Sequence, residues 1–324
     1  MKNRVFFVRF LAIGLAINCL LEAPLGAAQN SGTSSFSFLN IPTGARAAAM
    51  GQAFTSVPND IQGLVYNPAS LATMAASQAS FEHLSYVADV VEEGLAMGHA
   101  GRDQEFSWGL LANYLHVGNI DRTVATGQST GDGFTQTGSF STYDMAMGVS
   151  LAGPCLIEGL SVGTTIKFLR ESLADASSNG GALDAGFIYQ GNVERSWNVG
   201  AAVQNAGIAS KFAAAAVKLP LTLRAGFSGQ PFSQWLFSTD FVKRTDTAGE
   251  LDAGVELTPK KFFSLRVGYR YGLNNPDLGG LANFSAGIGL RWTQMSLDYA
   301  IVPLGDLGLT HRVSLNFRFK AHHS

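Results

Sequence analysis

Two pentapeptides in the sequence match the pattern Gly-x-Ser-x-Gly, which surrounds the nucleophilic serine of many hydrolases. They are residues 127–131 (GQSTG) and residues 159–163 (GLSVG). The motif supplies a nucleophile only where a strand turns sharply into a helix. The second pentapeptide lies on a predicted strand and the first in a predicted loop, in a chain rich in Gly and Ser. We therefore expect no catalytic residue; a lipase built on a barrel is the enzymatic alternative.

The histidines offer no recognisable ligand set. His83, His99 and His116 fall near predicted strand ends and share none of the spacings typical of metal ligands. The pair His322-His323 is interpreted as part of a solvated tail. No phosphate loop or dinucleotide fingerprint follows a strand and precedes a helix. The sequence therefore predicts neither a metal nor a cofactor.

Charged side chains on the polar phase of the predicted strands are more informative, because both signs occur there. One interpretation is a polar translocation path. The other, which we favour, is a lumen held by cross-strand ion pairs and plugged by the N-terminal segment, with Arg46 paired to a lumen acid. The principal candidates are Arg224, Asp252, Arg266, Arg270, Arg291 and Asp298. The wider set adds Asp144, Lys167, Asp184, Asp240, Glu256, Arg312 and Arg318.

Composition limits the class of fold that can hold these residues. Only 14% of the 324 residues are charged, and 37 are Gly, whereas about 25% charge is usual in soluble domains. A membrane barrel fits, because its outward face needs no charge; a large β-sandwich is the alternative. The formal net charge of −2 gives no reason to expect a nucleic-acid partner.

The first 28 residues have the features of a secretory signal. A basic start with Lys2, Arg4 and Arg9 is followed by the apolar residues 10–21 and by small residues at 26–28. The apolar run is shorter than the roughly 20 residues that a transmembrane helix needs. No later segment is apolar enough for such a helix, so a secreted chain that enters a membrane would do so as a closed barrel.

From about Gln78 the apolar residues recur at every second position. Phe263, Leu265 and Val267 alternate with Ser264 and Arg266, for example. Such alternation is typical of a strand with one apolar and one polar face. We predict fourteen strands, near residues 78–86, 89–100, 105–116, 139–152, 160–171, 182–190, 196–204, 219–229, 235–243, 250–258, 262–271, 283–292, 295–302 and 309–319.

The connections between these strands alternate in length, as in outer-membrane barrels with short periplasmic turns and long outer loops. Residues 153–159 and 293–294 are short connections. The predicted long loops are residues 118–138, 173–181 and 272–282. Three tryptophans fall at predicted strand ends, where an aromatic belt would lie: Trp197, Trp235 and Trp292.

Residues 38–72 differ from the rest of the chain, because they are rich in Ala, Pro and Asn and do not alternate. They predict three short helical turns, none stable alone, which must pack against the barrel. The expected N-caps are Thr43 for residues 44–50, Asn59 for residues 60–65, and Asn67 for a turn that begins at Pro68.

This stretch resembles the N-terminal signature of the PorV/PorQ family of FadL-like outer-membrane barrels. The matching residues are Gly44-Ala45-Arg46, Ala49-Met50-Gly51, Asn59-Asp60, the run 67–72 (NPASLA) and the final strand 309–315. The resemblance implies an all-β, fourteen-stranded transmembrane antiparallel barrel with a short helical plug. After a cleaved signal peptide at 1–28, the expected domains are a plug at 29–76 and a barrel at 77–320. The implied plug motif is Gly44, Arg46, Met50, Gly51, Asn59, Asp60, Asn67 and Pro68.

The resemblance also implies a location and a task. The location is the outer membrane of a Gram-negative-type bacterium, among outer-membrane lipids. The task is that of a non-enzymatic partner or shuttle in type IX-like protein secretion, binding a translocon or exported proteins through loops such as 118–138. The alternative is a plugged transporter that carries hydrophobic small molecules such as fatty acids through the plug and sideways between strands. Residues 212–216, Val217 and Leu219 are candidate lining for its pocket.

Overall fold

A closed barrel of fourteen antiparallel strands forms the body of the molecule, as predicted. The computed structural model describes residues 35–41, 43–101, 105–125, 133–191, 196–211, 218–273 and 281–319. The strands are β1 Gln78–Ser85, β2 Val91–His99, β3 Ser107–Ala125, β4 Phe134–Pro154, β5 Leu160–Leu173, β6 Ala176–Gln190, β7 Trp197–Ala209, β8 Thr222–Phe232, β9 Trp235–Arg244, β10 Glu250–Lys260, β11 Phe263–Gly272, β12 Phe284–Trp292, β13 Met295–Pro303 and β14 Leu309–Arg318.

The two ends of the barrel differ in their connections. At the turn end the chain enters β1, and tight connections such as Thr293-Gln294 join the strands. The opposite end, called the loop end, carries connections such as Tyr86–Val90 between β1 and β2. All four tryptophans lie at the turn end, which includes the three predicted at strand ends: Trp108, Trp197, Trp235 and Trp292.

Two of the predicted long loops are wrong, because most of their residues are strand. β3 and β4 stay paired as far as Ala125 and Phe134, and β5 meets β6 across a two-residue turn after Leu173. Residues 118–125 and 134–141 form a two-stranded ribbon, called the projecting ribbon, beyond the last pairs with β2 and β5. The sequence of the projecting ribbon does not predict strands, because a strand pair with neither face in lipid needs no apolar alternation.

The N-terminal segment folds inside the barrel, where residues 35–74 form the plug. It contains one short helix, α1 (Ala45–Ala49), and the 3₁₀ turns Ser37–Asn40, Ile61–Val65 and Pro68–Thr73. The first of these turns is absent from the sequence prediction. Within the described residues, no helix combines the length and the hydrophobicity needed to cross a membrane.

Only one of the three predicted helix caps is correct. Asn67 Oδ1 accepts a hydrogen bond from Ala69 N at 3.1 Å, with Pro68 at the first helical position. The second turn is capped by Asp60 instead of Asn59, because Asn59 has a left-handed φ of 60° and its side chain accepts from Ala75 N. α1 has no side-chain cap and begins after Gly44, whose φ of +87° favours glycine.

The hydrophobic core lies between the plug and the inward face of the wall. Ile61, Leu64 and Leu71 of the plug pack against Ala96 and Leu111 of the wall. Large apolar side chains on the opposite phase of the strands are exposed on the outside. This inverted distribution suits a barrel whose outer face contacts lipid.

Candidate functional site

Inward glycines of the wall let the plug backbone lie directly against the strands. A Cβ atom on Gly254 would come within 2.5 Å of Met50 O, and one on Gly163 within 2.5 Å of the Pro68 carbonyl carbon. A Cβ atom on Gly268 would overlap the backbone nitrogen of Gly51. These positions accept no larger residue while the plug is seated, which gives the high glycine content a structural reason.

Two residues of the predicted plug motif, Met50 and Gly51, lie at this contact. Met50 is fully buried, and Gly51 has a φ of +65°, where glycine is favoured. The backbone N–H of Gly51 donates to Ser285 Oγ at 3.2 Å. The same hydroxyl donates to Ala49 O at 3.2 Å, so one wall serine holds both sides of this turn.

A buried ion network, called the latch, ties the plug to the wall. Arg46 of α1 donates from Nε and Nη2 to the two carboxylate oxygens of Glu256, each at 2.8 Å. Its third nitrogen donates to Asp60 Oδ2 at 2.6 Å. Paired, planar contacts of this kind are the strong form of an arginine–carboxylate bond. Burial opposes charge on Arg46, but Glu256 and Asp60 outweigh it and raise its pKa.

The latch continues through the wall. Arg266 Nε donates to Glu256 Oε2 at 2.5 Å, and Arg266 Nη1 donates to Asp298 Oδ1 at 2.7 Å. Asn316 Nδ2 donates to the second oxygen of Asp298 at 2.7 Å. Residues from α1, β10, β11, β13 and β14 therefore share one charged network. The expected pairing of Arg46 with a lumen acid is present, and the partner is Glu256.

A second set of contacts fixes the middle of the plug. Asp240 Oδ2 accepts from Phe54 N at 3.0 Å, from Thr55 N at 2.9 Å and from Thr55 Oγ1 at 2.5 Å. Asn67 Nδ2 donates to Thr55 O at 3.0 Å and to Phe187 O of β6 at 2.9 Å. The motif residue Asn67 therefore has two tasks, since it also caps the last turn.

The remaining candidates take no part in the hydrogen bonds described for the latch. Arg224 Nε donates to Gln204 Oε1 at 3.0 Å, and its guanidinium lies 5.0 Å from the ring centroid of Tyr66. Asp252 is buried beside Arg270 in the strand register, and its carboxylate has no hydrogen-bond partner among the described residues. Arg291 is exposed and lines a cavity of about 70 Å³ at the turn end, next to the latch.

Sequence reasoning missed three polar residues of the lumen. Glu82 and Glu92 lie on the inward phase of β1 and β2, where Glu82 is partly buried and Glu92 is buried. Glu92 Oε1 accepts from Asn113 at 3.0 Å. Tyr66 donates to Thr43 O at 2.9 Å, and burial raises the pKa of its hydroxyl. The two-residue period of β1 and β2 could have placed both glutamates on the inward face. No local sequence pattern around Tyr66 indicates its contact with Thr43.

An apolar pocket lies at the loop end of the lumen and is filled by residues 36–41, which precede α1 in the plug. Phe36 and Phe38, both buried, pack on Leu115, Leu169 and Leu219 of the wall. We call residues 36–41 the strap and their site the strap pocket. Phe36 N donates to Glu171 at 2.8 Å. The remaining open space beside the strap is a cavity of about 60 Å³ with both apolar and charged walls.

The predicted lining of a transport pocket is found here only in part. Leu219 lies in the strap pocket, whereas residues 212–216 and Val217 fall outside the described residues. The pentapeptide 127–131 and the tail histidines also fall outside them. Ser161 lies on β5, within a barrel strand, so its motif lacks the strand-to-helix turn that a nucleophile needs.

The model of one protein family, described as uncharacterised protein family UPF0164, matches residues 22–302. The chain belongs to the UPF0164 family. The match includes the plug with its latch arginine and reaches into β13. It does not name the PorV/PorQ family. No curated protein sequence matches this UPF0164 chain.

Solved structures similar to this UPF0164 barrel include a transporter and a channel. The toluene transporter TbuX of Ralstonia pickettii is 14% identical over 86% of this chain and 98% of its own, with a TM-score of 0.58. A TodX monoaromatic hydrocarbon channel mutant (12% identical) and a Pseudomonas aeruginosa FadL homologue (11% identical) each have a TM-score of 0.55 and cover 86% of this chain and 99% of their own. The UPF0164 chain therefore has the FadL-like outer-membrane barrel fold.

Proposed function

We propose that this UPF0164 barrel is a plugged outer-membrane transporter for hydrophobic small molecules such as fatty acids. The observation that carries the proposal is the strap pocket, an apolar site inside a membrane barrel. In the structure its occupants are two phenylalanine side chains of the same chain. Proteins of the same fold include a toluene transporter and a monoaromatic hydrocarbon channel, which supports this substrate class by analogy.

The strap has to move before a ligand can enter. Ligand sites usually measure about 300–1,000 Å³, whereas the cavity beside the strap is about 60 Å³. Withdrawal of Phe36 and Phe38 would expose an apolar surface of the size of an alkyl or aromatic group. A ligand that leaves the pocket has to pass either the plug or the wall. The wall is closed in the described residues, because each strand pairs with both neighbours.

Replacing Leu115 with tryptophan should weaken ligand binding, because Leu115 is a buried wall residue of the strap pocket and a larger ring would fill it. We expect the affinity for a fluorescent fatty acid to fall at least about tenfold, the equivalent of 1.4 kcal/mol. The assay is equilibrium binding to the detergent-solubilised barrel. Leu110→Trp is the control, since Leu110 lies on the same strand but faces outward. Equal affinities for both variants would place the ligand elsewhere.

The second candidate function is that of a partner in protein secretion, as in the PorV/PorQ proteins. It is supported by the projecting ribbon, which rises beyond the wall and exposes Val124 and Phe134. Among the described residues its two strands pair only with each other, so neither outer edge meets a neighbouring strand there. An exposed strand edge is a ready surface for another polypeptide.

Truncating the projecting ribbon would separate the two functions. Residues 118–141 are replaced by Asn-Gly, which closes tight hairpins, because Val117 and Thr142 are opposite each other in the register. A transporter that works alone should keep its fatty-acid affinity and should remain a single-chain species in mild detergent. A secretion partner should instead lose a large complex that wild type shows when extracted from native outer membranes.

A further inference from the structure

A groove of about 420 Å³ crosses the outer surface of the barrel where β14, β1, β2, β3 and β4 lie side by side. Ala112 lies within it, in a row that runs across the strands through Phe81, Leu95 and Met147. The groove exists because alanine is the smallest member of this row. Its volume falls within the range of about 300–1,000 Å³ that holds small ligands.

The next row toward the loop end carries charge on the same outer face. His83 and Glu93 are opposite each other in the register, and His83 Nδ1 lies 2.8 Å from Glu93 Oε1. Both side chains are about half exposed, at 51% and 53%. Tyr114 continues this row on β3. Ionisable groups on the lipid face of a barrel are costly except near the interface, so this row marks the depth of lipid head groups.

The groove is a feature of the outer surface with an intact wall behind it. β1 pairs with β14 and with β2 along its whole length, and β2 pairs with β3 from Val91 to His99 without a register shift. The molecule that contacts this surface in a membrane is therefore a lipid of the bilayer. Its acyl chain meets the apolar row, and its head group meets the charged row.

We propose that this groove binds one phospholipid, with an acyl chain over Ala112 and a primary ammonium of the head group against Glu93. The lipid class is the zwitterionic phosphatidylethanolamine type, because its ammonium is complementary to the carboxylate while its phosphate suits His83. An anionic phosphatidylglycerol carries the same phosphate without an ammonium, so its net negative charge is not complementary to Glu93. The site is separate from the strap pocket and does not depend on the proposed transport function.

Native mass spectrometry of the delipidated, detergent-solubilised full barrel tests the site, with dioleoyl phosphatidylethanolamine and dioleoyl phosphatidylglycerol as probes. Wild type should retain one phosphatidylethanolamine with an affinity about tenfold above that for phosphatidylglycerol, as expected for one charge-assisted contact. Ala112→Phe should lower binding of both lipids, because the ring fills the groove. Glu93→Gln should keep one bound lipid and lose the preference between the two.

The matched control is Ala253→Phe, which makes the same change on the outward face of β10, away from the groove. It should bind both lipids as wild type does. Equal wild-type binding of the two lipids, or unchanged binding in Ala112→Phe, would overturn the proposal. A dimer that disappears in Ala112→Phe would assign the groove to a second copy instead. If Ala112→Phe does not fold, the lost preference in Glu93→Gln is the deciding result.

Discussion

Replacing Glu256 with glutamine should release the plug and turn the closed barrel into a conducting pore. Glu256 accepts from both Arg46 and Arg266, so its neutralisation leaves two buried guanidinium groups facing an amide. Breaking a buried ion pair from one side typically costs about 3–5 kcal/mol. That cost falls on the plugged state alone, because Arg46 reaches water once the plug leaves. The open fraction should rise at least about a hundredfold, and planar-bilayer conductance would measure it.

The control for this change is Asp175→Asn, which neutralises one acid of the exposed pair Arg122–Asp175 on the loop-end side. Exposed pairs of this kind contribute about 0–1 kcal/mol, so Asp175→Asn should remain as closed as wild type. The account predicts discrete openings only in Glu256→Gln. Conductance traces that are the same for both variants would show that the latch does not hold the plug.

Replacing Gly268 with valine should expel the plug by a different route. A side chain there would occupy the position of the Gly51 backbone, while valine itself suits a strand. The barrel should therefore fold, but residues 45–51 could no longer seat. Trypsin should then cleave after Arg46, a bond protected in wild type because the Arg46 side chain is only 14% exposed and is held in the latch. We expect a cleavage rate at least about tenfold above wild type, on the scale of a local opening free energy.

Gly181→Val is the matched control, because among the described residues a Cβ atom there would come within 4 Å of one atom only, the Lys167 carbonyl oxygen at 3.9 Å. It should leave Arg46 protected. Should Gly268→Val also resist trypsin at Arg46, the close contact between plug and wall would not be needed for seating. Together the two substitutions separate the electrostatic part of plug binding from the steric part.

The strands of the wall were predictable because one face of each contacts lipid and the other contacts the plug. The alternation of Phe263, Leu265 and Val267 with polar residues follows from this arrangement. Where lipid no longer contacts the strands, as in the projecting ribbon, the alternation is lost and the prediction fails. The helix caps failed for a different reason, since Gly44 and Asn59 adopt left-handed conformations that depend on how the plug fits the wall.

The candidate site was predictable as a set of residues but not as a set of contacts. The two-residue period placed Arg266 and Asp298 on the inward face, and the resemblance singled out Arg46 and Asp60. Arg46 and Glu256, which connect these residues, are 210 residues apart along the chain. Their contact depends on the strand register and on the position of α1 in the barrel. The strap pocket was not predictable, because Phe36 and Phe38 reach it by long-range folding.

The most direct test of the transport account is a paired uptake measurement in cells that make the wild-type barrel in their outer membrane. One labelled solute is a long-chain fatty acid, and the other is a hydrophilic sugar of a size that general pores admit. Fatty-acid uptake should be faster than in cells without the barrel, and Leu115→Trp should reduce this gain, with sugar uptake unchanged. Equal acceleration of both solutes, or of neither, would contradict it.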